Sequence, residues 1–118
     1  MTSCFNVLIV EDDPAIVEVV IAMLESQYHV SSANTVAEAL AFLRTSHVDV
    51  VLADNVLPDG RGSEVACVAE DLGSVVIEMS GYAQDQDELE RTKRPYLGKP
   101  FRMQALLSTI GNALQAHG

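Results

Sequence analysis

Three short, largely apolar runs, at 5–10, 48–53 and 75–79, constrain the fold of this chain more than any other feature. Each is rich in Val, Ile or Leu, each has strand length, and none alternates cleanly between apolar and polar residues. Strands read this way when both faces of a parallel sheet are covered, because a side chain pointing either way meets a packed layer. One charge, Glu78, interrupts the third run and has no explanation at this level; its apolar neighbours carry the strand assignment.

Helical patterns fill the intervals. Asp13-Pro14 sets a capping side chain before a proline suited to the first helical position. The helix it opens, to about residue 27, places Ile16, Val17, Val20 and Leu24 on one face. Thr35 and Glu38 have capping-box spacing and open a second helix through Ala37, Leu40, Ala41 and Leu43. A third helix is expected over 63–72, with Gly73 placed to stop it. A strongly polar fourth is expected over 84–92, and a fifth over 102–116 with Leu106, Ile110 and Leu114 spaced by four. Short strands at 29–32 and 95–98 complete a (βα)5 repeat. The expected fold is therefore α/β, a doubly wound five-stranded parallel sheet with right-handed crossovers, in a single domain over 1–118.

Charge narrows the function. Seventeen acidic against seven basic residues, a net charge of -10, argue against direct binding to nucleic acid or to an anionic membrane. No apolar run approaches the roughly 18 residues of a membrane span. The N-terminal MTSCFNVLIV lacks a basic leader and a cleavage site, so a cytoplasmic protein is expected. Cys4 and Cys67 lack metal-ligand spacing and read as small apolar residues in a reducing compartment.

In a parallel sheet the carboxyl ends of the strands share one edge, and ligands of such folds gather there. Here the first long run leads into Glu11, Asp12 and Asp13, the second into Asp54 and the third into Ser80-Gly81, while the 95–98 strand ends at Lys99-Pro100. Asp12, Asp54, Ser80 and Lys99 lie 42, 26 and 19 residues apart in sequence and become neighbours in space. Taken singly, each has an ordinary explanation: a helix cap for an Asp (Asp13 fits this), a turn for the Ser, a solvated charge for the Lys. Together they form a constellation. Two carboxylates about 4 Å apart repel by roughly 4 kcal/mol at an effective dielectric near 20. Three of them, answered by one lysine, call for a divalent cation, and hard carboxylate oxygens suit Mg²⁺. The turn at 58–62 reads as a strand-to-helix connection, with glycine supplying unusual backbone angles, rather than as a phosphate cradle.

The ordered set VLIVEDDP (7–14), DVVLADNVLPDGRG (49–62), VVIEMSGY (75–82) and YLGKPF (96–101) resembles the receiver domains of two-component response regulators over essentially the whole chain. That resemblance implies a flavodoxin-like strand order, 2-1-3-4-5. It also implies a self-catalysed, Mg²⁺- or Mn²⁺-dependent phosphoryl transfer rather than an enzyme acting on a separate substrate. Asp54 matches the phosphoryl acceptor. Asp12 matches a direct metal ligand, with Glu11 beside it acting through water, and Asp54 and the Val56 backbone carbonyl complete the protein's share of the metal shell. Ser80 and Lys99 match the hydroxyl and ammonium that grip the phosphoryl oxygens. Ser80 and Tyr96 match the switch pair that remodels the face of the fourth predicted helix, the 95–98 strand and the fifth predicted helix. Pro100 is expected after a cis bond to Lys99.

The implied donor is a histidine on a sensor histidine kinase or a histidine phosphotransfer protein, since His29, His47 and His117 sit in no convincing donor context. The implied recipient of the signal is a downstream protein target. A homodimer through the switch face stays open. Glu11 replaces the commoner Asp, and Lys93-Arg94-Pro95 replaces the usual Gly-Ala-Asp. Val56 and Tyr82 match positions that tune hydrolysis, so a fairly long-lived phosphoryl state is expected. A flavodoxin-like electron carrier would place Gly and hydroxyl residues where Glu11, Asp12 and Asp13 stand. A haloacid-dehalogenase-type phosphatase would need an Asp in place of Val56. The remaining rival is a receiver-like interaction module that works without phosphorylation.

Overall fold

The computed structural model describes residues 5–81 and 94–117. Its strands are β1 (Asn6–Val10), β2 (His29–Ala33), β3 (Val50–Asp54), β4 (Val56–Leu57), β5 (Gly60–Arg61), β6 (Val75–Ser80) and β7 (Tyr96–Gly98). The helices are α1 (Pro14–Leu24), α2 (Val36–Thr45), α3 (Gly62–Asp71) and α4 (Met103–His117). Strands β2-β1-β3-β6-β7 form one sheet in that order, and every neighbouring pair is parallel. With the two-residue strands β4 and β5 set aside, this is the expected order 2-1-3-4-5. The fourth predicted helix at 84–92, Tyr82, Lys93 and Cys4 lie outside the described residues.

The apolar runs do what an unalternating pattern requires. Leu8, Val10, Val51, Ala53 and Val76 pack with α2 and α3 on one face. Val7, Ile9, Val50, Leu52, Ile77 and Met79 pack with α1 and α4 on the other. From the helices, Val20 and Leu24 of α1 and Leu106 and Ile110 of α4 are buried against the second face. Each such side chain contributes roughly 1.5–3 kcal/mol by leaving water.

The helix starts follow from their caps. Asp13 Oδ1 accepts from the Ala15 N–H at 3.0 Å, ahead of Pro14. Thr35 Oγ1 accepts from the Glu38 N–H at 3.1 Å. A second cap on α2 comes from far along the chain: Asp59 accepts from the Val36 N–H at 2.7 Å and from the Ala37 N–H at 3.0 Å. These two bonds, that to Ala37 first, hold the Asp59 carboxyl below the ordinary value of 3.8, against a small opposing effect of burial. Gly73, at φ +91, ends α3 in the left-handed conformation that glycine adopts freely.

Two readings of the 58–62 turn need correction. It carries a short antiparallel pair, with Val56 opposite Arg61 and Leu57 opposite Gly60, which no apolar pattern announced. Its glycines are also there for space, since among the described residues only Gly73 has a positive φ. A Cβ built on Gly62 would collide with the backbone carbonyl oxygen of Asp54.

Glu78 now has an account. It is 1% exposed, on the face shared with Ala53 and Val76, and lies 3.9 Å from Nη1 of Arg94. The same guanidinium forms a two-pronged bond to Glu70 of α3, at 2.9 and 3.0 Å. The bond to Glu70 is the main reason the Arg94 charge is held above its ordinary range; burial opposes it and the charges of Glu70 and Glu78 assist. The unusual charge in β6 and the unusual residues before β7 are thus two halves of one arrangement.

Arg94→Met is expected to lower unfolding free energy by about 3 kcal/mol in urea titration, because it strips the counter-charge from a buried carboxylate. Adding Glu78→Met should restore most of that loss. Asp59→Ala is expected to lower the thermal midpoint by about 4 °C at neutral pH. Because the folded carboxyl is depressed, its contribution is complete above pH 3.8 and fades as pH falls through the folded value, so the two melting curves should converge in acid.

Candidate functional site

The carboxyl edge of the sheet gathers what the strand ends promised. Glu11, Asp12, Asp13, Asp54, Asn55, Val56, Ser80, Gly81 and Lys99 line one cavity of about 520 Å³. The order β1-β3-β6-β7 sets the ends of the four contributing strands side by side. Glu11 is fixed through its own N–H, which donates to the Ala33 carbonyl at 3.0 Å. Asp54 ends β3, and Gly62 closes against its carbonyl, so the first turn of α3 abuts the end of that strand. The Lys99–Pro100 bond is cis, as expected.

Charge is distributed unevenly. Glu11 is 1% exposed, whereas Asp12 stands in solvent. Glu11 Oε1 accepts from Lys99 Nζ, and its Oε2 accepts from the Asp13 N–H at 3.3 Å. Lys99 Nζ also lies 3.2 Å from Asp54 Oδ1. Burial works against the ammonium, yet the bond to Glu11 and the charges of Asp54 and Glu11 outweigh it and hold Lys99 above the ordinary lysine range. The residue is therefore cationic throughout the neutral range.

Glu11, Asp12 and Asp54 can each offer one oxygen, all within 4.8 Å of one another. Three carboxylates and one ammonium leave the cluster negative, and the donors are all hard oxygens, so the residues fit a divalent cation such as Mg²⁺. Val56 borders the same cavity and is 51% exposed, open to solvent beyond the end of β3. Ser80, 2% exposed, also lines the cavity. Tyr96 is half-buried at the start of β7, beside Glu78 in register rather than in the cavity wall. Sequence reasoning missed Asn55, which is 4% exposed in the cavity wall. A polar residue directly after the strand-end Asp54 was the signal available. It also did not anticipate that Glu11 would engage Lys99.

Comparison with known proteins agrees with this geometry. The family described as the response regulator receiver domain matches residues 7–111. The KDP operon transcriptional regulatory protein KdpE of Escherichia coli is 33% identical over 95% of this chain and 52% of its own length. The heme response regulator HssR of Staphylococcus saprophyticus is 28% identical over 99% of this chain and 53% of its own. The chain thus spans about half the length of these curated relatives. A CheY-like response regulator receiver domain from Methanospirillum hungatei superposes with a TM-score of 0.87 at 31% identity, covering 98% of this chain and 97% of that one. Among the described residues no helix is long and apolar enough to cross a membrane. With the fold, the strand-end constellation and these relatives in agreement, the chain belongs to the response regulator receiver domain family.

Proposed function

We propose that this domain accepts a phosphoryl group on Asp54 from a phosphohistidine of a sensor histidine kinase or histidine phosphotransfer protein, in a reaction that depends on Mg²⁺ or Mn²⁺, and passes the signal to a downstream protein in the cytoplasm. The observation that carries this reading is the placement of Lys99 Nζ 3.2 Å from Asp54 Oδ1 beside a three-carboxylate cluster. An Asp54 oxygen attacks phosphorus while the phosphorus–nitrogen bond of the donor breaks. The electron pair leaves with the imidazole, and the product is an acyl phosphate. Such transfers depend on positioning and charge neutralisation more than on covalent help from the protein.

Each residue has a separate part. Lys99 offsets charge on the acceptor before transfer and on the phosphoryl oxygens after it. Glu11 holds that ammonium in place while contributing, with Asp12, Asp54 and the Val56 carbonyl, to the cation's surroundings. The bound cation would neutralise the phosphoryl oxygens and so let a carboxylate approach them. Ser80 supplies a hydroxyl to the phosphoryl group, and Tyr96 on the neighbouring strand reads its movement. That pair would form a two-state element biased by a local change of charge. Val56, apolar and bordering the cavity, hinders water and favours a long-lived adduct.

Incubation with Mg²⁺ and acetyl phosphate should add the mass of one phosphoryl group, with no addition in EDTA or after Asp54→Asn. Lack of an adduct, or one that survives Asp54→Asn, would favour a phosphorylation-independent interaction module instead. Lys99→Met should slow adduct formation by about a hundredfold while Mg²⁺ still binds, which a titration of the unphosphorylated protein can verify.

A further inference from the structure

Asn55 is a buried polar side chain of the cavity wall whose chemistry the reaction above leaves unused. Its backbone is fixed on both sides: the N–H donates to the Met79 carbonyl at 2.9 Å, and the carbonyl accepts from the Gly62 N–H at 3.0 Å. The side chain is buried, yet its Nδ2 has no hydrogen-bond partner. An amide N–H left unpaired away from water carries a desolvation penalty, so a folded domain keeps one only where something else is gained. Its neighbour in space can be read from the register. Asp54 pairs with Met79, so Asn55 and Ser80 stand one step further along adjacent strands, which run about 4.8 Å apart. Alternation points both to the α3 face, since Ala53 packs there and Met79 packs on the other. Both line the cavity that holds Asp54.

We infer that Asn55 is a positioning residue for phosphoryl transfer: its amide donates to Ser80 Oγ when the Ser80 hydroxyl turns to donate its own proton to a phosphoryl oxygen. This rests on the phosphoryl-acceptor reading and adds a member to it. A serine hydroxyl that donates toward the phosphoryl group exposes its lone pairs on the other side, and the orphan N–H is placed to fill one. The resulting chain, Asn55 N–H to Ser80 O–H to phosphoryl oxygen, polarises in a single direction and strengthens each bond. The unpaired amide of the unloaded domain is then a cost that disappears on loading. It raises the energy of the resting state relative to the phosphorylated one without touching the metal ligands.

The test compares Asn55→Leu in two backgrounds, with Ser80 present and with Ser80→Ala, following phosphorylation by acetyl phosphate and Mg²⁺ through intact mass. With Ser80 present the substitution should slow uptake about tenfold, the loss of the one hydrogen bond that orients the Ser80 hydroxyl. In the Ser80→Ala background the effect should fall below about twofold, since the partner is already missing. Mg²⁺ affinity should not change, and the thermal midpoint of the unphosphorylated protein should not fall. An equal slowing in both backgrounds, or none with Ser80 present, overturns the role. Asn55→Ala read in the same way decides the matter if the leucine variant does not fold. No uptake by the unsubstituted protein overturns the phosphoryl-acceptor reading itself, whereas normal uptake by both Asn55→Leu and the parent overturns this inference alone.

Discussion

The ammonium of Lys99 stands against Glu11 and Asp54 at an edge where three carboxylates converge. Carboxylates at such separations repel one another by roughly 3–4 kcal/mol per pair at an effective dielectric near 20. One cation held at the end of β7 is therefore the condition on which the rest of the site can exist. Meeting that condition requires β7 to lie beyond β6 and β3, so that a residue 88 positions from Glu11 reaches it. The parallel sheet with both faces covered supplies this geometry, and two separate apolar layers keep it rigid. The charge cluster sits on the fold's rim because the interior is occupied by side chains that could not solvate it.

The negative balance that survives after Lys99 is counted is useful rather than merely tolerated. It suits a small, hard cation and gives the pocket little attraction for an anion. Phosphoryl groups are anions, so on the proposed reading a cation would have to arrive before the phosphoryl group. The net charge of -10 over the whole chain acts in the same sense, discouraging polyanions that would compete for a cation-loaded edge.

How much of this could be read beforehand depended on the distance over which each residue acts. Asp12, Asp54, Ser80 and Lys99 could be brought to one edge because each stands at or just past the end of an expected strand, and parallel topology does the rest. Thr35 and Asp13 were legible because caps act within three residues. Asp59 was not, since its partners lie 22 and 23 positions away and depend on the path of the β4–β5 turn. Glu78 looked like an error of pattern until Arg94, from another element, was seen beside it. Gly62 was noticed for the wrong reason: a glycine needed for backbone angle and one needed for clearance look the same in sequence. Asn55 went unremarked because its meaning lies in a missing partner, and only coordinates reveal an absence of that kind.

The Asp59 cap has a mechanical side. It ties the loop after Asp54 to α2, the β4–β5 pair stiffens the same loop, and the contact of Gly62 with the Asp54 carbonyl pins its far end. One bank of the pocket is thus braced at three points. The opposite bank, built from the ends of β6 and β7, shares none of these braces. A displacement that started at Asp54 would meet an abutment on the side of this loop. On the proposed reading, this loop would be the fixed jaw of a vice, and the work done at Asp54 would be delivered toward Ser80 and Tyr96.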